Sequence, residues 1–183
     1  MTDIFLTSDQ HFGHERIIAL SKRPFASAAD MDEALIEAWN AVVRHGDEVW
    51  CLGDFSMGRP EYTNGILRKL HGRKRLVLGN HDRVTGVEWS HVQESAEFKA
   101  AGRKFFAFHY PVRDWPGKWS GTLHAYGHVH GNLLPLPGAM EVSVDVWGGR
   151  PVSAEELVNA IVPFDIRQEL VASMPLRHRP WSS

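Results

Sequence analysis

The segment IFLTSDQHFGHERIIAL, residues 4–20, joins a short apolar run to an amphipathic one. The run at 4–6 predicts a β-strand, and Asp9 and His11 follow it directly. Gly13 then opens a stretch whose apolar residues at 17, 18 and 20 indicate a helix. A strand, a polar loop and a helix in this order form the repeating unit of an α/β fold.

The same arrangement recurs along the chain, because four further polar segments also follow apolar runs that predict strands. These segments are Gly53-Asp54, Gly79-Asn80-His81-Asp82, His109 and Gly127-His128-Val129-His130. Strand ends in α/β proteins converge at one edge of the sheet, where ligands bind. Side chains about 120 positions apart are therefore expected to share one pocket.

Further strands are predicted at 48–52, 75–78, 92–98, 103–108, 122–126 and 141–147. Helices are predicted from a capping box at Asp30 and Glu33, at 60–70, and from a second capping box at Ser153 and Glu156. Strands and helices alternate in the first half of the chain. Beyond residue 90 strands joined by turns predominate, which predicts a second, more antiparallel sheet.

The composition is typical of a single domain over residues 1–183, since 43% hydrophobic residues can form one substantial core. A net charge of -2 provides no global attraction for nucleic acid or anionic membranes. No apolar run approaches the ~20 residues of a membrane-spanning helix. The single Cys51 and an amino-terminal stretch without a signal core favour a cytoplasmic setting. The sequence beyond Pro163 predicts a chain end that is irregular or docked on the domain.

The clustered side chains provide two carboxylates, one amide oxygen and four imidazoles. Seven ligands suit two divalent cations if one carboxylate bridges them and water completes each shell. Asp54, in the middle of the set, is the expected bridge. Such a pair activates water for attack on phosphorus. His81, beside Asn80, is the candidate catalytic residue that neutralises charge or protonates the leaving oxygen.

In order and spacing these segments resemble the signature of the calcineurin-like metallophosphoesterases, and the resemblance covers residues 3–147. It implies an α/β four-layer sandwich in which two mixed β-sheets pack face to face and are flanked by helices. It implies one metal on Asp9, His11, Asp54 and His130, and a second metal on Asp54, Asn80, His109 and His128. His81 would be the catalytic histidine that binds neither metal. Small members similar to this chain often carry His-Phe-Gly-His at the position of residues 11–14.

Three residues near these segments are candidates for substrate binding. His14 is one helical turn beyond the first segment, although packing of the helix explains it equally well. Arg83 and Arg113 follow the third and fourth segments and are suited to clamp a phosphate, although exposed loop arginines are the alternative for both. Residues 148–183 either cover the pocket or take part in a possible homodimer.

The sequence thus predicts a metal-dependent hydrolase of a small phosphodiester or a nucleotide-like phosphomonoester. Mn²⁺ is the first choice of metal, and Fe, Ni or Zn also suits mixed oxygen and nitrogen ligands. A nuclease is an alternative, although the net charge does not favour nucleic acid as partner. A non-catalytic metal-binding scaffold with the same fold is another. A phosphate-binding loop is excluded because Arg59-Pro60 stands where Lys-Ser/Thr is required.

Overall fold

The computed structural model describes residues 2–163, which form two β-sheets with helices packed against them. The first sheet has the strand order β4-β3-β2-β1-β9. Its strands are β1 (Ile4–Thr7), β2 (Glu48–Cys51), β3 (Arg73–Val77), β4 (His91–Gln93) and β9 (Val152–Ser153). Strands β1 to β4 are parallel, and β9 pairs with β1 in the antiparallel sense. This sheet is therefore mixed.

The second sheet has the strand order β5-β6-β7-β8. Its strands are β5 (Ser95–Ala100), β6 (Arg103–Phe108), β7 (Leu123–Tyr126) and β8 (Ala139–Glu141). Only β5 and β6 pair in the antiparallel sense, whereas β6, β7 and β8 are parallel. The second sheet is more antiparallel than the first, as expected, although the long connections after β6 and β7 return the chain in the same direction and keep three of its strands parallel. The two mixed sheets expected from the resemblance are present.

Alternation along the strands of the first sheet explains how the layers pack. Phe5 and Val49 belong to the core beneath the helices, whereas their neighbours Leu6 and Trp50 face the second sheet. Successive side chains of a strand point to opposite faces, and both faces are buried here. The continuous apolar runs of β1 and β2 follow from this position in the middle of the sandwich.

The described residues form four α-helices, α1 (Glu15–Leu20), α2 (Ala28–Val42), α3 (Pro60–Lys69) and α4 (Ala154–Ala160). The capping box of α4 is confirmed, since Ser153 and Glu156 each bind the other's backbone N–H. The box expected at Asp30 and Glu33 is wrong. Helix α2 begins earlier, because the Ser27 hydroxyl accepts the Asp30 N–H at 3.1 Å. Ser27 is therefore its N-cap.

Two predicted strands differ from the structure. The segment 92–98 divides into β4 and β5, which belong to different sheets. The chain crosses between the layers there, and a run of apolar residues does not reveal the change of partner. The segment 141–147 leaves the sheet after Glu141, because the N–H groups of Val146 and Trp147 turn back to the Ser143 carbonyl. The tail from residue 164 onward, with its expected irregular or docked end, lies outside the described residues.

None of the helices between residues 2 and 163 has the length and apolar character needed to cross a membrane.

Candidate metal centre

Two groups of potential metal ligands lie at the edge where the strands end. The first cluster is Asp9, His11 and His130, and the second cluster is Asp54, His109 and His128. Within each cluster one ligand atom per residue lies within 4.8 Å of the others. Asn80 adjoins the second cluster, since its Oδ1 is 3.1 Å from Nε2 of His109. The fold thus brings all seven predicted ligands to one edge.

Asp54, a member of the second cluster, also lies close to the first cluster. Its Oδ2 is 3.7 Å from Nε2 of His11 and 3.6 Å from Nε2 of His109. These distances are too long for hydrogen bonds. They match the separation of about 3 to 4 Å between neighbouring ligands of one cation when each metal–ligand distance is about 2.1 Å. The other oxygen, Oδ1, accepts the backbone N–H of His81 at 2.9 Å.

The backbone is strained where these ligands sit. Seven non-glycine residues of the described chain have a positive φ angle, and five of them are predicted ligands: Asp9, His11, Asp54, His128 and His130. A positive φ angle at a residue with a Cβ costs roughly 1–3 kcal/mol of folding free energy. Such strain persists where the surrounding structure enforces it, and it concentrates at functional sites. The concentration of strain at the ligands independently indicates a functional site.

Hydrogen bonds between the loops hold this geometry. The N–H groups of Asp9 and His11 donate to the carbonyls of Gly53 and Asp54 at 2.9 and 3.0 Å. The carboxylate of Asp82 accepts three N–H groups, from Asp54, Phe55 and Gly79, at 2.8 to 3.0 Å. Asp82 therefore fixes the second and third segments against each other, a part that the sequence pattern did not assign to it.

The polar atoms of the site fit bound cations. His109 places Nδ1 2.7 Å from the Leu52 carbonyl, which only accepts, so Nδ1 carries a proton. In the tautomer protonated at Nδ1 alone, the Nε2 lone pair faces the Asn80 oxygen, another acceptor. Nε2 of His11 is buried without any hydrogen-bond partner. Two acceptors that face each other are unfavourable, and so is a buried nitrogen without a hydrogen-bond partner. A cation bound among these atoms would remove both penalties.

The electrostatics support the same conclusion. Burial raises the pKa of Asp9 to about 6, so the carboxylate lacks sufficient compensating positive charge within the chain. Burial, with neighbouring positive charges, lowers the pKa of His11 to about 2 and keeps the ring neutral. Burial likewise lowers the pKa of His128. Neutral imidazoles are the form that binds metals.

An open cleft of about 520 Å³ lies over both clusters. His14 and the predicted catalytic His81 line it, and the ring centre of His81 is 5.6 Å from that of His11. The lining also includes residues that the sequence pattern did not single out: Arg16, Leu20, Met57 and Asn132. Arg83 and Arg113 are exposed and do not belong to this lining. Substrate contact by either arginine stays a prediction.

Asp145 orients a ligand histidine and also forms an ion pair. Its carboxylate accepts Nδ1–H of His130 at 2.7 Å and pairs with Arg23 at 2.8 Å. Arg23 was missed, since it lies in the connection between α1 and α2 and no motif includes it.

We expect Gly79→Ala to disrupt the metal centre. A Cβ at this position would overlap the backbone nitrogen and Oδ1 of Asp54. Overpacking of this kind costs about 1–3 kcal/mol, and here it displaces a ligand. Thermal unfolding and metal titration measure the two effects.

In the control Gly65→Ala the new methyl group meets nothing within 4 Å and lies inside α3, so stability should rise. Unchanged metal affinity in Gly79→Ala would contradict the close approach of Gly79 to Asp54.

Comparison with known proteins gives a consistent family assignment. The sequence model of the calcineurin-like phosphoesterase superfamily domain matches residues 3–137. The uncharacterized protein MJ1445 of Methanocaldococcus jannaschii is 33% identical, with 88% of this chain and 92% of the relative covered. The Gene 66 protein of Mycobacterium phage L5 is 28% identical over 88% and 95% of the two chains. The crystal structure of the protein of unknown function AQ665 from Aquifex aeolicus superposes with a TM-score of 0.72 at 24% identity, covering 88% of this chain and all of the other. This last likeness concerns the fold.

Proposed function

Because the chain belongs to the calcineurin-like phosphoesterase superfamily, we propose that it hydrolyses a small phosphodiester or a nucleotide-like phosphomonoester with two divalent metal ions. The observation that carries the proposal is the position of Asp54. Its Oδ2 lies at nearly equal distances from the histidines of two separate clusters, as a bridging carboxylate requires.

The residues of this chain divide naturally into two ligand sets. Asp9, His11 and His130 would hold one ion, while Asn80, His109 and His128 would hold the other, and Asp54 would contact both. Mixed oxygen and nitrogen ligands favour Mn²⁺ as first choice, with Fe, Ni or Zn as alternatives. When bound, the two ions supply Lewis acidity that polarises a phosphoryl oxygen and lowers the pKa of the attacking water.

His81 is the proposed proton donor to the leaving oxygen. Its imidazole lines the cleft but is a member of neither cluster, whereas its backbone N–H donates to Asp54. The side chain therefore remains free to reach a substrate while the backbone positions a ligand. His14 lines the same cleft, and we assign it a contact to the substrate phosphate.

The walls of the cleft support a small substrate. Its volume of about 520 Å³ is in the range of small-molecule sites. Leu20 and Met57 are exposed apolar side chains on its wall, and they suit an organic leaving group. Arg16 is the only arginine or lysine among its described lining residues. A nuclease would need a longer basic track for the phosphate backbone, so a small phosphorylated substrate is the better fit.

Metal-free protein reconstituted with Mn²⁺ should hydrolyse bis-p-nitrophenyl phosphate or p-nitrophenyl phosphate, and the ratio of the two rates gives the ester preference. Chelation should abolish both activities, because the proposed nucleophile is a water molecule activated by the metal ions and not a side chain. Salt-sensitive cleavage of single-stranded or duplex nucleic acid would favour the nuclease instead. If two ions bind per chain but neither ester is hydrolysed with Mn²⁺, Fe²⁺, Ni²⁺ or Zn²⁺, the protein is better explained as a non-catalytic scaffold.

A further inference from the structure

Arg23 is a buried arginine that contacts the first cluster directly at Asp9 and reaches His130 through Asp145. Its side chain lies beside the loop that carries Asp9 and His11, and the residue is only 8% exposed. Nη2 donates to the Asp9 carbonyl at 2.7 Å, and Nη1 donates to the Gln10 carbonyl at 2.8 Å. One guanidinium thus satisfies two consecutive carbonyls of the strained loop.

The same guanidinium grips Asp145 with two parallel hydrogen bonds. Nε donates to Oδ1 and Nη2 donates to Oδ2, each at 2.8 Å. Asp145 also accepts a hydrogen bond from the Ser143 hydroxyl at 3.2 Å. A fork of this kind fixes the plane of the carboxylate as well as its position.

Asp145 in turn orients His130. Nδ1 of His130 is 2.7 Å from Oδ2 of Asp145, and the hydroxyl of Ser21 lies 3.3 Å from the same nitrogen. An ionised carboxylate only accepts, so Nδ1 carries a proton, and the neutral ring keeps its lone pair on Nε2. Nε2 is the atom that lies 3.8 Å from Asp9 Oδ1, inside the cluster. The chain of contacts from Arg23 through Asp145 therefore selects the ring nitrogen that can bind an ion.

The second cluster is supported in a different way. Nδ1 of His109 donates to the Leu52 carbonyl, and the Asp54 carboxylate accepts the backbone N–H of His81. None of the hydrogen bonds that Arg23 makes reaches a residue of this cluster. A defect at Arg23 should consequently affect the two ion sites unequally.

We propose that Arg23 is a positioning residue for the first ion site, acting through the Asp9–Gln10 carbonyls and through Asp145 on His130. The proposal rests on the metal binding that is part of the proposed function. Lysine cannot replace arginine in this role, because one ammonium group cannot bind two carbonyls and both carboxylate oxygens in a fixed plane. Losing such a supporting partner typically weakens metal binding about 10- to 100-fold.

The test is a Zn²⁺ titration of metal-free, ¹⁵N-labelled protein followed by the imidazole nitrogen signals of individual histidines. In Arg23→Lys, the signals of His11 and His130 should shift at about 10- to 100-fold higher free Zn²⁺ than in the unsubstituted protein. Those of His109 and His128 should shift at a concentration within about twofold of the original. In Asp145→Asn, the His130 Nδ1–H signal should also lose the downfield position that a charged acceptor gives it.

Arg150→Gln is the matched control, since Arg150 also forks onto a carboxylate, Glu156, at 3.2 and 2.8 Å but on the exposed surface. It should leave all four histidine titrations unchanged. Equal weakening of both clusters in Arg23→Lys, or failure of that variant to fold, would show a role in general stability and overturn the proposal. Unchanged titrations would overturn it as well. If no histidine of the unsubstituted protein responds to Zn²⁺, the metal-binding function itself fails.

Discussion

Asp54→Asn is expected to lower phosphoester hydrolysis by about 10³-fold or more and to reduce the number of tightly bound ions per chain. The reason is the position of the carboxylate, whose Oδ2 lies between His11 and His109 while Oδ1 is occupied by the His81 N–H. An amide in its place is neutral, and its one oxygen cannot replace both carboxylate oxygens. Metal ions contribute several kcal/mol to such reactions, and about 1.4 kcal/mol corresponds to a factor of ten in rate.

Steady-state kinetics with Mn²⁺ and metal analysis after desalting measure the two effects. Asp47→Asn is the matched control, because Asp47 is also a buried carboxylate that accepts backbone N–H groups, those of Asp3 and Arg44. It should lose stability without a selective loss of ions. If Asp54→Asn keeps both ions and most of its activity, Asp54 does not bridge them.

The candidate metal centre could be anticipated from the sequence because its residues follow strands. Parallel strands β1, β2 and β3 end at one edge, so Asp9, Asp54 and Asn80 had to meet there. The pattern of apolar and polar residues did not need to match the structure at every position for this prediction to hold. The strands β1, β2 and β3 were located within a few residues.

Contacts between distant, unpatterned residues could not be anticipated in the same way. Arg23 and Asp145 are 122 positions apart, and neither lies in a repeated motif. Val142, Val144 and Val146 alternate in the sequence as residues of one strand face do, yet Val144 is buried and Val146 is exposed on a turn. Periodicity reports the local environment of a side chain, but it does not specify which distant partner completes a polar group.

His81→Ala is expected to lower kcat by about 10²- to 10⁴-fold while leaving both ions bound, which is the usual contribution of a general acid or base. The separation of the two effects follows from the structure. The backbone N–H of His81, which the substitution retains, binds Asp54, whereas the imidazole only lines the cleft. A general acid matters most when the leaving oxygen is strongly basic. The loss should therefore be larger for an alkyl ester than for a p-nitrophenyl ester.

Rates for a series of esters with leaving groups of rising pKa measure this dependence, with metal content determined on the same samples. His91→Ala serves as control, because His91 is exposed on β4 and its imidazole contacts Gln93 at 2.9 Å. A loss in His81→Ala that is the same for every ester would contradict proton donation and point to charge neutralisation at phosphorus. Loss of an ion would place the imidazole among the ligands. The dependence on the leaving group thus distinguishes the roles that one histidine at this position can perform.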